Sequence, residues 1–131
     1  ALGISMRDRG SLTNECIDIM KELWSSDLPK YQSKRWDFSD LFFSPKPIQN
    51  NIPIWVGGSS PGAIRRTALR GDGWHPTGVS PEDYDLTKRQ LIEAATAARF
   101  VSSIIIASPA RSILPYKKCF LCRSKYLTVG E

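Results

Sequence analysis

The 131-residue sequence lacks the long apolar run that a membrane span requires and the charged-then-apolar leader of a secretory signal. No 18 consecutive apolar residues occur, although 41% of the residues are hydrophobic and 24% are charged. These proportions are typical of a soluble globular protein. Internal repeats and low-complexity tracts are also missing. We therefore expect a cytoplasmic protein without a membrane partner.

Histidine and cysteine are scarce: the chain has one histidine, His75, and three cysteines. Cys119 and Cys122 form a Cys-x-x-Cys, but no second pair completes a zinc site, so no metal site is predicted. We interpret this pair as incidental and Cys16 as a small residue on the inner face of a helix. Sparse cysteine is typical of an intracellular protein.

A dense basic stripe is also lacking. The net charge of +5 is spread along the chain, and adjacent basic residues are confined to short pairs such as Arg65-Arg66 and Lys117-Lys118. A nucleic-acid groove would need clustered charges with aromatic residues between them. We expect no nucleic-acid partner and interpret the charge as a solvated surface biased toward anionic cofactors.

The most informative stretch is Ile52 to Pro76, which predicts a strand, a turn, a helix and a second strand. Ile52 to Val56 has the apolar, β-branched and aromatic composition of a strand buried on both faces. Asp72 to Pro76 begins the next strand. Because a strand–helix–strand unit builds a parallel sheet, the fold class is α/β.

Local signals define the helix inside this unit. Ser60 is a suitable N-cap, Pro61 suits the first helical position, and Gly71 supplies the stop after Arg70. The residues predicted to form its small-residue face are Ala63, Ile64, Thr67 and Ala68.

The turn between strand and helix consists of Gly57, Gly58, Ser59 and Ser60. It gathers backbone N–H groups and two hydroxyls at a helix N-terminus, an arrangement that suits a phosphate or another anion. The glycine spacing fits neither the P-loop nor the Gly-x-Gly-x-x-Gly fingerprint. An ordinary βα turn with a serine cap is therefore an open alternative.

Flanking segments predict further elements. Helical spacing of apolar residues indicates a helix over about Leu12 to Trp24, with Ser11 or Thr13 as its cap and Glu15 in its first turn. Trp36 and Phe38 alternate with polar residues, which indicates a short strand or hairpin arm. The aromatic residues there cover an edge of the fold or, alternatively, form a lid over a substrate pocket.

The sequence after Pro76 predicts a helix that begins at Ser80-Pro81 and a buried strand over Ser102 to Ala107. The buried stripe of that helix is predicted to contain Tyr84, Leu91, Ala95 and Ala98. Trp74 is interpreted as a core residue or a cavity wall. His75 would lie near the end of its strand, as a structural residue or, alternatively, in contact with cofactor or substrate.

These motifs carry a family resemblance. The run from Pro53 to Arg66, followed by Gly-Asp-Gly-Trp-His-Pro at 71–76, resembles the later part of the luciferase-like monooxygenase family and, within it, the coenzyme F420-dependent oxidoreductases. The resemblance covers Leu2 to Ala107. Other residues in the family's order are Arg9-Gly10, Thr13, Glu15, Ile19-Met20-Lys21, Leu23-Trp24 and Ser44-Pro45-Lys46-Pro47.

The resemblance implies a partial (β/α)₈ TIM barrel, the C-terminal half, in which parallel strands alternate with helices. A whole barrel takes about 250 residues, and the sequence starts at Ala1 in mid-pattern. We expect residues 1–107 to be the C-terminal portion of the barrel and residues 108–131 to be a divergent or poorly ordered tail. The segment from Ala97 to Val101 departs locally from the family's pattern, and the resemblance fades beyond Ala107.

The function implied by the resemblance is that of an oxidoreductase acting on a small molecule. The cofactor would be coenzyme F420 for hydride transfer or, alternatively, FMN for monooxygenation. Gly57, Gly58, Ser59 and Ser60 match the family's turn near the cofactor phosphate. The family's other cofactor contacts lie on earlier strands, so no catalytic residue is assigned, and this chain alone is expected to bind cofactor weakly or not at all.

Two other interpretations stay open. A non-catalytic α/β half-barrel could close its exposed strand edges by pairing with a second copy, which would make it a homo-oligomer. An unrelated βα enzyme, such as a sugar-phosphate isomerase, could use the same turn to bind a phosphate ester.

Overall fold

The computed structural model describes residues 5–49, 51–98, 104–106 and 127–128. The chain forms two units, Ala1–Ile52 and Pro53–Glu131. The elements of the first unit are α1 (Arg9–Ser25), β1 (Tyr31–Gln32) and β2 (Asp37–Phe38). The elements of the second unit are β3 (Trp55–Gly57), α2 (Pro61–Arg70), β4 (Gly73–His75), α3 (Pro81–Ala97), β5 (Ile105–Ile106) and β6 (Leu127–Thr128).

Helix α1 starts earlier than its apolar spacing predicts, and the expected caps are wrong. Asp8 is the N-cap residue and makes no side-chain cap hydrogen bond. The Ser11 hydroxyl donates to the Asp8 carbonyl (2.9 Å) and the Thr13 hydroxyl donates to the Arg9 carbonyl (2.7 Å). Both hydroxyls thus bond back to carbonyls of the preceding turn. Glu15 lies beyond the first turn and accepts a hydrogen bond from Arg35 (3.0 Å).

The buried face of α1 centres on Ile17, which is 4% exposed. Cys16 is exposed, so its predicted place on the inner face is wrong. Consecutive helical residues point about 100° apart, and a face centred on Ile17 therefore turns Cys16 toward solvent. At the other end of the helix, Lys46 Nζ donates to the carbonyls of Leu23 and Ser26 and satisfies acceptors that a helix C-terminus leaves open.

The predicted hairpin is confirmed. Strands β1 and β2 pair antiparallel, with Tyr31 opposite Phe38. Their rings stack with centroids 6.2 Å apart. The connecting turn is held by Ser33, whose N–H donates to the Trp36 carbonyl (2.7 Å).

The larger sheet has the order β3-β4-β5-β6. Strands β3, β4 and β5 run parallel, which confirms the predicted α/β class, and β6 adds an antiparallel edge that the sequence did not predict. Of the predicted tail, residues 108–131, only 127–128 are described. Cys119 and Cys122 lie outside the described residues.

Strand β3 begins three residues later than predicted, at Trp55. Pro53 has no N–H to give to a ladder. The N–H of Ile54 donates instead to the Asp72 carboxylate (2.9 Å), and the Ile54 carbonyl accepts from the backbone of Asp72 (2.8 Å). Val56 is buried, but Trp55 is 39% exposed, so the expected burial of this strand on both faces is wrong.

Helix α2 matches its prediction at both ends and on its buried face. The Ser60 hydroxyl accepts from the N–H of Ala63 (3.2 Å), and the buried residues are Ala63, Ile64, Thr67 and Ala68. Gly71 ends the helix with φ at −94°, outside the left-handed region. Its small size is what matters, because a Cβ there would lie 3.0 Å from Val56 Cγ2.

The core of the second unit lies between the two helices and the parallel strands. Its buried residues are Ile64, Ala68, Trp74, Leu91, Ala95, Ile104 and Ile106. Helix α3 begins at Ser80-Pro81 as predicted, and Ser80 caps it by accepting from the N–H of Asp83 (3.2 Å). Thr87 is also buried on α3, a position the sequence did not single out; its hydroxyl is satisfied by the Asp83 carbonyl (2.9 Å).

Candidate functional site

The carboxyl ends of β3 and β4 meet at one corner of the sheet. Gly57 is the register partner of His75. The His75 carbonyl accepts from the N–H of Gly58 (3.2 Å) and from the N–H of Thr77 (2.7 Å). Ligands of open α/β sheets and of (β/α)₈ barrels bind at this end of the strands. The predicted cofactor turn therefore lies where the fold places binding sites.

Gly58 is fixed on both sides of its backbone. Its φ is +101°, a conformation that favours glycine. Its N–H is bonded to His75, as described, and its carbonyl accepts from the indole Nε1 of Trp74 (2.8 Å). This second contact was not predicted from the sequence. A usable signal existed, because a buried tryptophan normally finds an acceptor for its N–H.

The two serines of the turn have different tasks. Both are exposed, but the Ser60 hydroxyl is used by Ala63 as the cap of α2. Pro61 contributes no N–H, so the turn has fewer free donors than an ordinary helix N-terminus. Within the described residues, the backbone N–H groups of Ser59 and Ser60 have no backbone acceptor. Ser59 is an exposed residue, and its amide is not used by another backbone group of the described part of the chain.

The two helix N-termini of the second unit differ in charge. The first turn of α3 contains Glu82 and Asp83, whereas that of α2 contains no acidic residue. A carboxylate at the positive end of a helix dipole competes with an external anion for the same field. Of these two helices, α2 is therefore the one whose N-terminus can receive an anion.

Gly57, unlike Gly58, does not have a positive φ that favours glycine. A Cβ at Gly57 would meet Thr77 Oγ1 at 3.4 Å, an ordinary contact, so packing alone does not demand glycine there. The small residue keeps the end of β3 open to close approach of another group.

His75 lies on the exposed side of this corner. Its Nδ1 is 3.0 Å from Thr77 Oγ1, a hydrogen bond that orients the ring. Thr77 was not singled out from the sequence. The contact of His75 with cofactor or substrate stays a prediction.

Trp74, on the buried side of the corner, is 0% exposed and stacks with Tyr84 from α3, with ring centroids 5.9 Å apart. Burial, and secondarily the negative charge of Asp85, raise the pKa of the Tyr84 phenol above its usual value. The phenol is therefore neutral at physiological pH.

The described residues offer no better candidate for a cofactor site than this corner. A cleft of about 220 Å³ in the first unit is lined by Lys21, Trp24, Ser25, Asn51 and Ile52. It is smaller than the roughly 300–1,000 Å³ of ordinary cofactor pockets. In the described ranges, no three His, Cys, Asp or Glu side chains are grouped so that they could hold a metal ion. The same ranges contain no helix with the length and apolarity of a membrane span.

The fold and the turn define a parallel α/β protein with an anion-compatible corner at the carboxyl end of its sheet. The profile of the luciferase-like monooxygenase family matches residues 1–113, and the chain belongs to that family. The predicted resemblance is thereby confirmed. The parallel strands alternating with α2 and α3 agree with the predicted partial (β/α)₈ barrel.

Individual relatives show how far the similarity extends. An uncharacterised protein of Mycobacterium tuberculosis (strain ATCC 25618 / H37Rv) is 33% identical over 108 residues, which cover 79% of this chain and 37% of the relative. An F420-dependent glucose-6-phosphate dehydrogenase of Kineococcus radiotolerans is 27% identical over 97 residues, covering 72% of this chain and 28% of that enzyme. The match thus spans 37% of the length of the first relative and 28% of the second, well under half of either. The names of the family and of this enzyme are those of oxidoreductases.

Proposed function

We propose that this chain supplies the cofactor-phosphate corner of a flavin- or deazaflavin-dependent oxidoreductase that acts on a small molecule. Membership of the luciferase-like family supports the class of reaction. The F420-dependent relatives favour coenzyme F420, with FMN as the alternative. The observation that carries the proposal is the turn of Gly57, Gly58, Ser59 and Ser60, which joins a parallel strand to a helix whose first turn lacks acidic residues.

The residues present fit a phosphate group. The exposed Ser59 offers an N–H and a hydroxyl, the N–H of Ser60 lies next to it, and the positive end of α2 faces the same turn. When bound, F420 would supply hydride transfer, and FMN would supply reaction with oxygen. The task of this chain is to hold and orient the phosphate-bearing end of either cofactor.

Titration of the ¹⁵N-labelled chain with FMN, F420 and riboflavin tests the proposal. Because the chain matches well under half of its relatives' length, we expect weak binding, with dissociation constants on the order of 1 mM. Chemical shifts should change first at the amides of residues 57–60. Riboflavin, which has no phosphate, should leave them unchanged. Changes centred elsewhere, or equal changes with riboflavin, would contradict the proposal.

The same titration ranks the alternatives. Stronger binding of F420 than of FMN supports hydride transfer, and the reverse order supports monooxygenation. A simple sugar phosphate that binds as well as either cofactor would favour the phosphate-ester interpretation, against which the family match argues. Self-association of the chain stays a prediction, and sedimentation velocity would test it.

A further inference from the structure

The hydrogen bond between Trp74 and Gly58 joins the most buried side chain of β4 to the proposed cofactor turn. Trp74 is 0% exposed, and its indole nitrogen is its one polar side-chain atom. That nitrogen donates to the Gly58 carbonyl at 2.8 Å. Packing in the core and stacking on Tyr84 involve only the ring of Trp74, so the hydrogen bond of its N–H is a separate interaction with its own effect.

Peptide geometry shows what this bond controls. The carbonyl of Gly58 and the N–H of Ser59 belong to one peptide plane. In a trans peptide these two groups point in opposite directions. Because the carbonyl is directed at the buried indole, the N–H of Ser59 is directed away from it, and Ser59 itself is exposed.

Without the indole N–H, nothing in the described contacts would hold this peptide plane in one orientation. Rotation of this plane changes ψ of Gly58 and φ of Ser59. Glycine tolerates its share of the change at little cost, so Ser59 alone resists the rotation. In the rotated state a carbonyl oxygen would face the bound group where an N–H now does. An oxygen directed at a phosphate repels it.

We propose that Trp74 is a positioning residue for cofactor binding, which directs the Ser59 N–H toward the phosphate through its hydrogen bond to Gly58. This inference rests on the proposed function, because it assumes that a phosphate binds at the turn. Trp74 itself touches neither the cofactor nor the reacting atoms.

The test replaces the indole N–H while keeping the ring. Site-specific incorporation of benzothienylalanine at position 74 puts sulfur in place of N–H with nearly the same shape. Trp74→Phe, which can be encoded genetically, removes the N–H together with part of the ring. A net hydrogen bond of this type corresponds to a change of about 2- to 13-fold in an equilibrium constant. We expect the dissociation constants for FMN and inorganic phosphate to rise by roughly three- to tenfold.

Two controls separate positioning from packing. Riboflavin has the same ring system without the phosphate, so any binding it shows should not depend on the indole N–H. Tyr84→Leu removes the ring that stacks on Trp74 but keeps the hydrogen bond, so its affinity for FMN should stay within about twofold. Far-UV circular dichroism and urea denaturation of each variant establish that it is folded.

The possible results are distinct. A folded position-74 variant that loses affinity for FMN and phosphate, while Tyr84→Leu keeps it, supports the inference. Unchanged FMN affinity in that variant overturns the inference and leaves the proposed function standing, and so does an equal loss in Tyr84→Leu. Failure of the unmodified chain to bind FMN, F420 or phosphate at the turn overturns the proposed function and the inference together.

Discussion

Gly73 lies directly against the indole ring of Trp55. A Cβ built at Gly73 would be 2.6–2.8 Å from three atoms of that ring, closer than real Cβ atoms approach. We therefore expect Gly73→Ala to displace the ring and lower the free energy of unfolding by roughly 1–3 kcal/mol. Urea denaturation measures the change.

Gly62→Ala is the matched control, because a Cβ at Gly62 would meet no atom within 4 Å. In the first turn of α2 this substitution should leave the chain as stable or stabilise it by about 0.4–1 kcal/mol. Equal losses of stability in the two variants would mean that the contact between Gly73 and Trp55 is not the cause.

A second prediction at this scale concerns Tyr84 and pH. Burial raises the folded-state pKa of the phenol above its unfolded value. The associated stability is fully present below the unfolded pKa, near 10, and is lost as pH rises through the folded pKa. Between about pH 9 and 12, stability should fall more steeply with pH in the parent than in Tyr84→Phe. Parallel curves would refute this assignment.

At the scale of single elements, α2 depends on one serine for its start. Ser60 accepts from the N–H of Ala63, so we expect Ser60→Ala to cost roughly 1 kcal/mol of stability. Ser59→Ala, one residue earlier and without a cap, should change stability by less than about 0.5 kcal/mol. Thermal or urea unfolding compares the two, and a larger loss in Ser59→Ala would reverse our assignment of tasks to the two serines.

The elements also show which parts of the fold can be predicted from sequence. The bounds and buried face of α2 follow from signals within a few residues: a serine cap, Pro61, and apolar residues at helical spacing. Helix α1 lacks such signals. Its serine and threonine hydroxyls bond back to carbonyls, and Glu15 is held by Arg35, twenty residues away. The start of α1 and the partners of its polar side chains therefore depend on the tertiary structure.

The candidate site divides in the same way. The glycine-serine turn and its place between a strand and a helix could be predicted, because each depends on local backbone preferences. The partners of the contacts that fix the turn could not, since these contacts cross between strands: a buried tryptophan is expected to find an acceptor, but the sequence does not say which one. Trp74 reaches Gly58 over 16 positions, and the Asp72 carboxylate moves the start of β3 by bonding to Ile54, 18 positions away.

For the whole molecule, the net charge of +5 predicts how cofactor binding responds to salt. FMN carries a phosphate, and its attraction to a positive protein is screened as the Debye length falls from about 30 Å at 0.01 M salt to about 3 Å at 1 M. We expect FMN affinity to decrease across this range. Titration at several salt concentrations measures the slope.

Riboflavin, titrated at the same salt concentrations, serves as the reference for this experiment, since a ligand without phosphate should show little salt dependence. Salt-independent FMN binding would place the contact on the ring rather than on the phosphate, and would argue against the turn as the site.

The absence of acidic residues from the first turn of α2 has an evolutionary consequence. A carboxylate there would strengthen the helix by about 0.3–1 kcal/mol, as Glu82 and Asp83 are placed to do for α3. It would also fill the place where a phosphate is proposed to bind. Selection for thermal robustness alone would favour such a substitution, so lineages that have lost the cofactor should accumulate aspartate or glutamate at this helix start, and lineages that keep it should not.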